Sequence, residues 1–372
     1  MGSEEKHSEL FWNRSDKMTK TIKKLLIFYI PETFITLFLF YWLFYLSNEA
    51  GNTETTVRTG FAGTFLTLGI LAYTFGLRHA FDADHLAAID NSTRKLVQEQ
   101  KPSNFTGLFF SLGHSTVVIL LSIALIISTR EISSNLPALK DAGTIVGTFV
   151  SGTFLYVIGL LNFFILITIY KLYGEAKNGS IDEDELNETL MKRGFFGRYF
   201  DRLFKFVNKQ YHLYPIGFLF GLGFDTASET ALLAITAGAS SVFLKVPLWY
   251  ILVLPFLFTA GMTLVDTSDG FFMNGAYSWA FSGHPLKKIW YNLTMTLISI
   301  LISFMVGNLE ILGLIQSEFN LNGSVWDTLA IIDGIGWGYL GIIIVVTFIL
   351  TWASSYLIFK IKIEKQPYEQ HR

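Results

Sequence analysis

An uncharged run from Phe61 to Gly76 leads directly into Leu77-Arg-His-Ala-Phe-Asp-Ala-Asp-His-Leu86. Arg78, His79, Asp82, Asp84 and His85 therefore stand where an apolar segment should continue. On insertion scales a central Asp or Arg costs about 2.5–3.5 kcal/mol, so Arg78, Asp82 and Asp84 together cost about 8–10 kcal/mol before any pairing. An ion pair between Arg78 and one aspartate is a structural use for two of them. The other acid and both histidines then have no structural role, and such a group is expected to face a cavity and hold a ligand.

Similar intrusions recur along the chain. His114 lies in Phe110-Ser-Leu-Gly-His-Ser-Thr-Val-Val118, and Asp225 and Glu229 are one helical turn apart. Met262, Asp266 and Asp269 form one stripe at helical spacing. Asn162 interrupts another apolar run, and Asn292, Thr296, Ser299 and Ser303 line a further one, with Glu310 near its end. The acids far outnumber Arg78, which suits a cation and argues against an anion or a neutral solute. Oxygen ligands alone would serve sodium, magnesium or calcium. Three imidazoles, with Met262 in addition, point instead to a first-row transition metal.

His79, Asp82, Asp84, His85 and His114 are the candidate metal ligands. Arg78, Asn162, Asp225, Glu229, Met262, Asp266, Asp269 and Asn292 are candidates for a path leading to and from them. Ligating histidines must be neutral, so binding should weaken as pH falls through about 6.5. On an unbroken helix His79, Asp82 and His85 share a face, whereas Asp84 points about 140° away from His79. Either Asp82 is the direct partner, or the helix unwinds near Ala80–Ala83 so that Asp84 turns inward.

Positioning these groups falls to long apolar helices. The 372 residues are 51% hydrophobic. Apolar runs at about 25–46, 61–90, 105–128, 143–170, 213–238, 247–281, 286–316 and 328–361 are each long enough for a bilayer core that takes roughly 20 residues. The expected fold class is an all-α membrane protein with eight transmembrane helices. Runs this long lack the alternation of an outer-membrane barrel. No cleavable signal is apparent, and the absence of cysteine excludes disulfides and thiolate ligands. Lys and Arg number 23 in the N-terminal segment, the second, fourth and sixth loops and the tail, against four (Arg58, Arg130, Lys140, Lys245) on the opposite side. The positive-inside rule then places both termini in the cytoplasm. Residues 174–212 are expected to form a cytoplasmic loop, and the rest a single membrane domain.

A shift of 148 residues aligns Phe110-Ser-Leu-Gly-His114 with Phe258-Thr-Ala-Gly-Met262, and Gly159, Leu161 and Asn162 with Gly307, Leu309 and Glu310. A second match sets Phe75-Gly-Leu77 against Phe220-Gly-Leu222. Spans 2–4 thus resemble spans 5–7. Three spans per unit give opposite orientations, an inverted repeat of the kind that secondary transporters build around a midplane site.

Four of these elements together resemble the signature of the nickel/cobalt transporter family, NiCoT: Arg78 to Leu86, Phe110 to Val118, Gly223-Phe-Asp-Thr-Ala-Ser-Glu229, and Leu257-Phe-Thr-Ala-Gly-Met-Thr-Leu-Val-Asp-Thr-Ser-Asp269. Leu86 replaces the family's Ile, and Ser228 its Thr. The resemblance implies an eight-span protein that takes up Ni²⁺, in some members Co²⁺, across the bacterial cytoplasmic membrane. It also implies that His79, Asp84 and His85 are central to handling the metal. The ion would be substrate and not cofactor, and the partners are that ion and the lipid bilayer, with no nucleic acid and no ATPase subunit. No G-x-x-x-x-G-K-[ST] loop occurs, so a secondary permease is expected and not an enzyme. An inward dication gains about 4.6 kcal/mol per 100 mV, enough for roughly thousandfold accumulation. Two other readings are a permease for Mn²⁺ or Mg²⁺ and an intramembrane zinc-dependent hydrolase. The hydrolase needs an open metal position with a placed general base, and the chain has no H-E-x-x-H helix.

Overall fold

The computed structural model describes residues 2–50, 55–56, 62–63, 65–128, 136–177, 207–222, 227–242, 247–280, 285–334, 337–358 and 360–361. Among them are eleven α-helices: α1 (Gly2–Ala50), α2 (Phe65–His79), α3 (Ala83–Gln98), α4 (Thr106–Ser128), α5 (Leu136–Lys177), α6 (Leu213–Phe220), α7 (Ala227–Val242), α8 (Val253–Ala280), α9 (Pro285–Phe319), α10 (Ser324–Gly334) and α11 (Trp337–Ile358). Short 3₁₀ turns precede α6 (Gln210–His212) and α8 (Leu248–Leu252). Thr55–Thr56 and Ala62–Gly63 pair as an antiparallel ribbon, β1 and β2, a small departure from the expected all-helical chain.

Six helices, α1, α4, α5, α8, α9 and α11, are long and apolar enough to cross a membrane. Their outward faces carry large apolar side chains, with Phe34 70% and Ile127 72% exposed, a surface suited to lipid and costly in water. The molecule is a multi-pass membrane protein. Six of the eight expected spans correspond to these helices. The second and fifth do not form single helices: α2 and α3 replace one, α6 and α7 the other. The eighth is preceded by α10, so its expected run is divided as well. Of the expected cytoplasmic loop at 174–212, residues 178–206 lie outside the described residues.

The second span also runs further than expected. Arg94 and Lys95, read as loop residues, lie inside α3 and are 0% and 2% exposed. Every residue of α3 from Ala83 to Leu96 except Asp84 is buried. Polar side chains remain inside because another polar face meets them. Arg94 Nη1 donates to Thr296 Oγ1 (2.9 Å), Gln98 Nε2 to Asn292 Oδ1 (2.7 Å), and Ser299 Oγ to Asp90 Oδ2 (2.8 Å), all from the polar stripe of α9. The Lys/Arg bias survives without the two residues.

No glycine or proline marks the break between α2 and α3. The chain tightens first, with Phe81 N–H on Arg78 O (3.0 Å) and Asp82 N–H on His79 O (2.8 Å). Asp82 is then extended (φ −66, ψ 142) and occupies the N-cap position of α3, where aspartate is favoured. Gly341 of α11 lies against the Phe81 carbonyl so closely that a Cβ would overlap it. Two helix crossings are built alike. A Cβ at Gly76 would overlap Phe258 O and one at Gly261 would meet Tyr73 O, locking α2 on α8. A Cβ at Gly217 would overlap Phe110 O and one at Gly113 would overlap Tyr214 O, locking α6 on α4.

Candidate metal site

His79 ends α2 and His85 lies in the first turn of α3, so the break turns two imidazoles toward each other, with ring centroids 4.6 Å apart. α4 supplies His114, whose ring centroid is 4.9 Å from that of His79 and 4.7 Å from that of His85. One nitrogen from each buried ring lies within 4.8 Å of the other two. Even the widest such triangle has a common point about 2.8 Å from each nitrogen, against about 2.1 Å for a metal–imidazole bond. Small ring movements would close the difference.

Three carboxylates complete the cluster. Asp82 Oδ2 is 2.9 Å from His79 Nδ1, close but not aligned as a hydrogen bond. Glu229, in the first turn of α7, is 2.7 Å from His114 Nε2 and 3.7 Å from His79 Nε2. Asp266 of α8 is 3.3 Å from His85 Nδ1. Carboxylates on Nδ1 of His79 and His85 favour the tautomers whose Nε2 carries a lone pair, the form a metal needs. The Nε2 atoms of His79 and His114 are 3.0 Å apart, a spacing that requires one proton between them.

His85 Nε2 and His114 Nδ1 have no hydrogen-bond partner among the described residues. Each such buried atom costs about 1–3 kcal/mol. A transition-metal dication would satisfy the donors and offset the acids together. The C-terminal end of α2, negative by its peptide dipoles, also favours a cation at the break. Asp82 offsets the opposite, positive end of α3.

The remaining sequence candidates divide clearly. Asp84 is half-buried, and its Oδ1 accepts the N–H of His85 (2.9 Å) instead of turning to His79. The first alternative holds, with Asp82 the acid beside His79, and of the second only the break occurs, since Asp84 does not turn to His79. Arg78 is exposed, so it does not form the buried ion pair considered above. Met262 is fully buried in the apolar core around Leu257 and Phe258. Asn162 donates to Asn91 Oδ1 (2.6 Å). Asn292 and Asp269 belong with a second polar cluster and not with the histidines. Asp225 lies outside the described residues.

That second cluster was missed in part. Asp90 accepts hydrogen bonds from the hydroxyls of Tyr277 and Ser299, one turn from the buried Arg94. The available signal was spacing: Asp90, Arg94 and Gln98 repeat every four residues, a polar face that the α9 stripe requires as partner.

A profile of the NicO family, high-affinity nickel-transport proteins, matches residues 65–358. The chain is 46% identical over 293 residues to the nickel transporter NixA of Staphylococcus aureus, covering 79% of this chain and 85% of that protein. It is 46% identical over 298 residues to the nickel transporter NicT of Mycobacterium tuberculosis, covering 78% of each. The cobalt transport protein NhlF of Rhodococcus rhodochrous is 34% identical over 300 residues, covering 80% of this chain and 83% of that protein. No solved structure matches the chain.

Proposed function

This chain belongs to the family of high-affinity nickel-transport proteins, and we propose that it carries Ni²⁺, with Co²⁺ as a second substrate, into the cell. The observation that carries the mechanism is the meeting of His79, His85 and His114 with Glu229 where two helices are interrupted. The three imidazoles take the ion from water. Glu229 closes the site, while Asp82 and Asp266 orient His79 and His85. Asp84 acts from the start of α3, as charge that draws the dication in. The metal is cargo, and the activity is transport, not catalysis.

In the bilayer, the broken pairs α2–α3 and α6–α7 serve as spans two and five, giving eight spans with cytoplasmic termini. The two matching glycine crossings support an inverted repeat of spans 2–4 and 5–7. They pair Gly76 with Gly217, four residues from the register that Phe75-Gly-Leu77 suggests. The membrane is the bacterial cytoplasmic membrane, whose potential drives the dication inward. ⁶³Ni accumulation at limiting nickel tests the assignment in cells producing the wild type and the His79→Ala, His85→Ala and Asp84→Ala variants. Loss in both histidine variants is expected. Normal accumulation by all three variants rejects it.

A further inference from the structure

The apolar core divides into two clusters, and a phenylalanine from each reaches the histidine site. One cluster contains Phe258 with Leu68, Ala72 and Leu257; the other contains Phe110 with Leu86, Phe154 and Phe220. Both phenylalanines are completely buried. The Phe258 ring lies beside His79, with centroids 5.5 Å apart and planes tilted by 36°. The Phe110 ring meets His85 edge to face at 4.8 Å.

The two rings stand at different heights. α4 runs antiparallel to α8, since Ser111 Oγ donates to Thr263 Oγ1 (3.3 Å) while Gly107 lies against Asp266 O. Phe110, next to Ser111, is thus level with Thr263, about five residues or roughly 7–8 Å beyond Phe258 along α8. His114 lies one turn back toward Phe258. The two side chains lean further apart, because Cβ atoms tilt toward the N-terminus of their own helix. Phe258 therefore bounds the imidazoles on the side where α8 begins, and Phe110 on the side where α4 begins.

The positions are also equivalent. The 148-residue shift that relates Gly113 to Gly261 relates Phe110 to Phe258. Each carbonyl is set against a glycine of an interrupted span, Phe258 O against Gly76 of α2 and Phe110 O against Gly217 of α6. A side chain that only fills the core needs neither contact with the imidazoles nor a matched position at the opposite end of the site.

Resting on the nickel-import reading above, in which α8 begins at the outer face and α4 at the cytoplasm, we propose that Phe258 and Phe110 are the outer and inner gates of the histidine site. With both rings in place the ion is enclosed. Displacing Phe258 opens the site outward and displacing Phe110 opens it inward, so transport requires them to move in turn. A phenyl face attracts a passing cation, which an aliphatic side chain does not.

Release of bound ⁶³Ni²⁺ from de-energised membrane vesicles into excess unlabelled Ni²⁺ tests each side separately. Filtered right-side-out vesicles report only ions lost through the outer face, and inside-out vesicles only those lost through the cytoplasmic face. Phe258→Leu should speed loss about tenfold or more from right-side-out vesicles and leave inside-out vesicles within about twofold of the wild type. Phe110→Leu should do the reverse. The bulkier Phe258→Trp and Phe110→Trp should slow loss at the same faces as the leucine variants speed it. Equilibrium ⁶³Ni²⁺ binding to the purified variants, which also reports folding, should stay within about threefold of the wild type, since a phenyl ring is not a ligand. Where a leucine variant does not fold, the tryptophan variant decides, and unchanged loss at its own face overturns the gate. Equal acceleration at both faces, no acceleration by a folded leucine variant at its own face, or loss of binding in both variants of one position also overturns it. Wild-type vesicles that retain no ⁶³Ni²⁺ would reject the import reading and the gates with it, whereas retention without a side-specific pattern rejects the gates alone.

Discussion

Two polar clusters are stacked along α3, and they are satisfied to different degrees. At its start, the rings of His79, His85 and His114 crowd together with two nitrogens unpartnered and three acids at their edge. Further along, the side chains of Asp90, Asn91 and Gln98 each meet a donor or acceptor from a neighbouring helix. The first cluster sits at a broken helix, the second on continuous ones. Groups that hold a fold together are paired, because a lost partner costs about 1–3 kcal/mol. Groups that hold a passing ion must be left short of partners until it arrives. Arg94 and Asp269 are the exceptions within the second cluster, each keeping a buried polar atom with no hydrogen-bond partner among the described residues.

Removing a ring from the first cluster should therefore have the largest effect. His85→Ala is expected to weaken Ni²⁺ binding by about 100-fold or more, roughly 2.7 kcal/mol. Ser299→Ala in the second cluster should change it less than about threefold. Equilibrium ⁶³Ni binding to purified protein measures both, and similar losses in the two variants would erase the distinction between the clusters. Lowering pH should mimic the first variant. Protonated imidazoles cannot ligate, so affinity should fall on acidification and return on neutralisation.

The acids can be ranked by the same measurement. Glu229 touches two of the rings and Asp84 touches only the backbone beside one. Glu229→Gln is expected to cost about 10- to 100-fold in affinity, the range typical of groups that fix a metal site. Asp84→Asn should cost less. A reversed order would mean that the break rearranges on loading and brings Asp84 to the ion.

Much of the first cluster was legible in the sequence because charge inside an apolar run is expensive and hence informative. His79, Asp82, His85, His114, Glu229 and Asp266 are all visible on that ground alone. The break at Ala80–Asp82 was readable only as an alternative, since the contact that fits it is tertiary: Gly341 of α11 set against the Phe81 carbonyl. Arg94 was misplaced because a basic residue after a run of polar ones reads as a loop. Nothing local shows that α9 presents Thr296 and Asn292 at the matching height. The paired crossings were half visible, as Phe110-x-x-Gly113 and Phe258-x-x-Gly261, while the register of Gly76 with Gly217 required the contacts themselves.

Those crossings make a prediction about stability. Gly76→Ala and Gly217→Ala each set a Cβ against a backbone carbonyl, which cannot rotate away. Each should destabilise the purified protein by about 1–3 kcal/mol, the range for overpacked sites. Gly313→Ala on α9 has open space around it and should be neutral or slightly stabilising, since alanine exceeds glycine in helix propensity by about 1 kcal/mol. Thermal unfolding in one detergent compares all three. Equal midpoints for Gly76→Ala and Gly313→Ala would remove the tight crossing from the account.

The smallest expected effect belongs to the paired part of the second cluster. Asn162 Nδ2 donates to Asn91 Oδ1 (2.6 Å), and Asn91 Nδ2 donates to Ala87 O (2.7 Å), tying α5 to α3 two turns from the histidines. In membranes such interhelical hydrogen bonds are worth about 0.6 kcal/mol on average and up to about 1.7 kcal/mol. Asn162→Ala should therefore lower stability by about 1 kcal/mol and leave Ni²⁺ affinity within about twofold of the wild type. If Asn162→Ala weakened Ni²⁺ binding tenfold without changing the unfolding midpoint, this residue would belong to the ion's path, and full pairing would no longer mark a purely structural group.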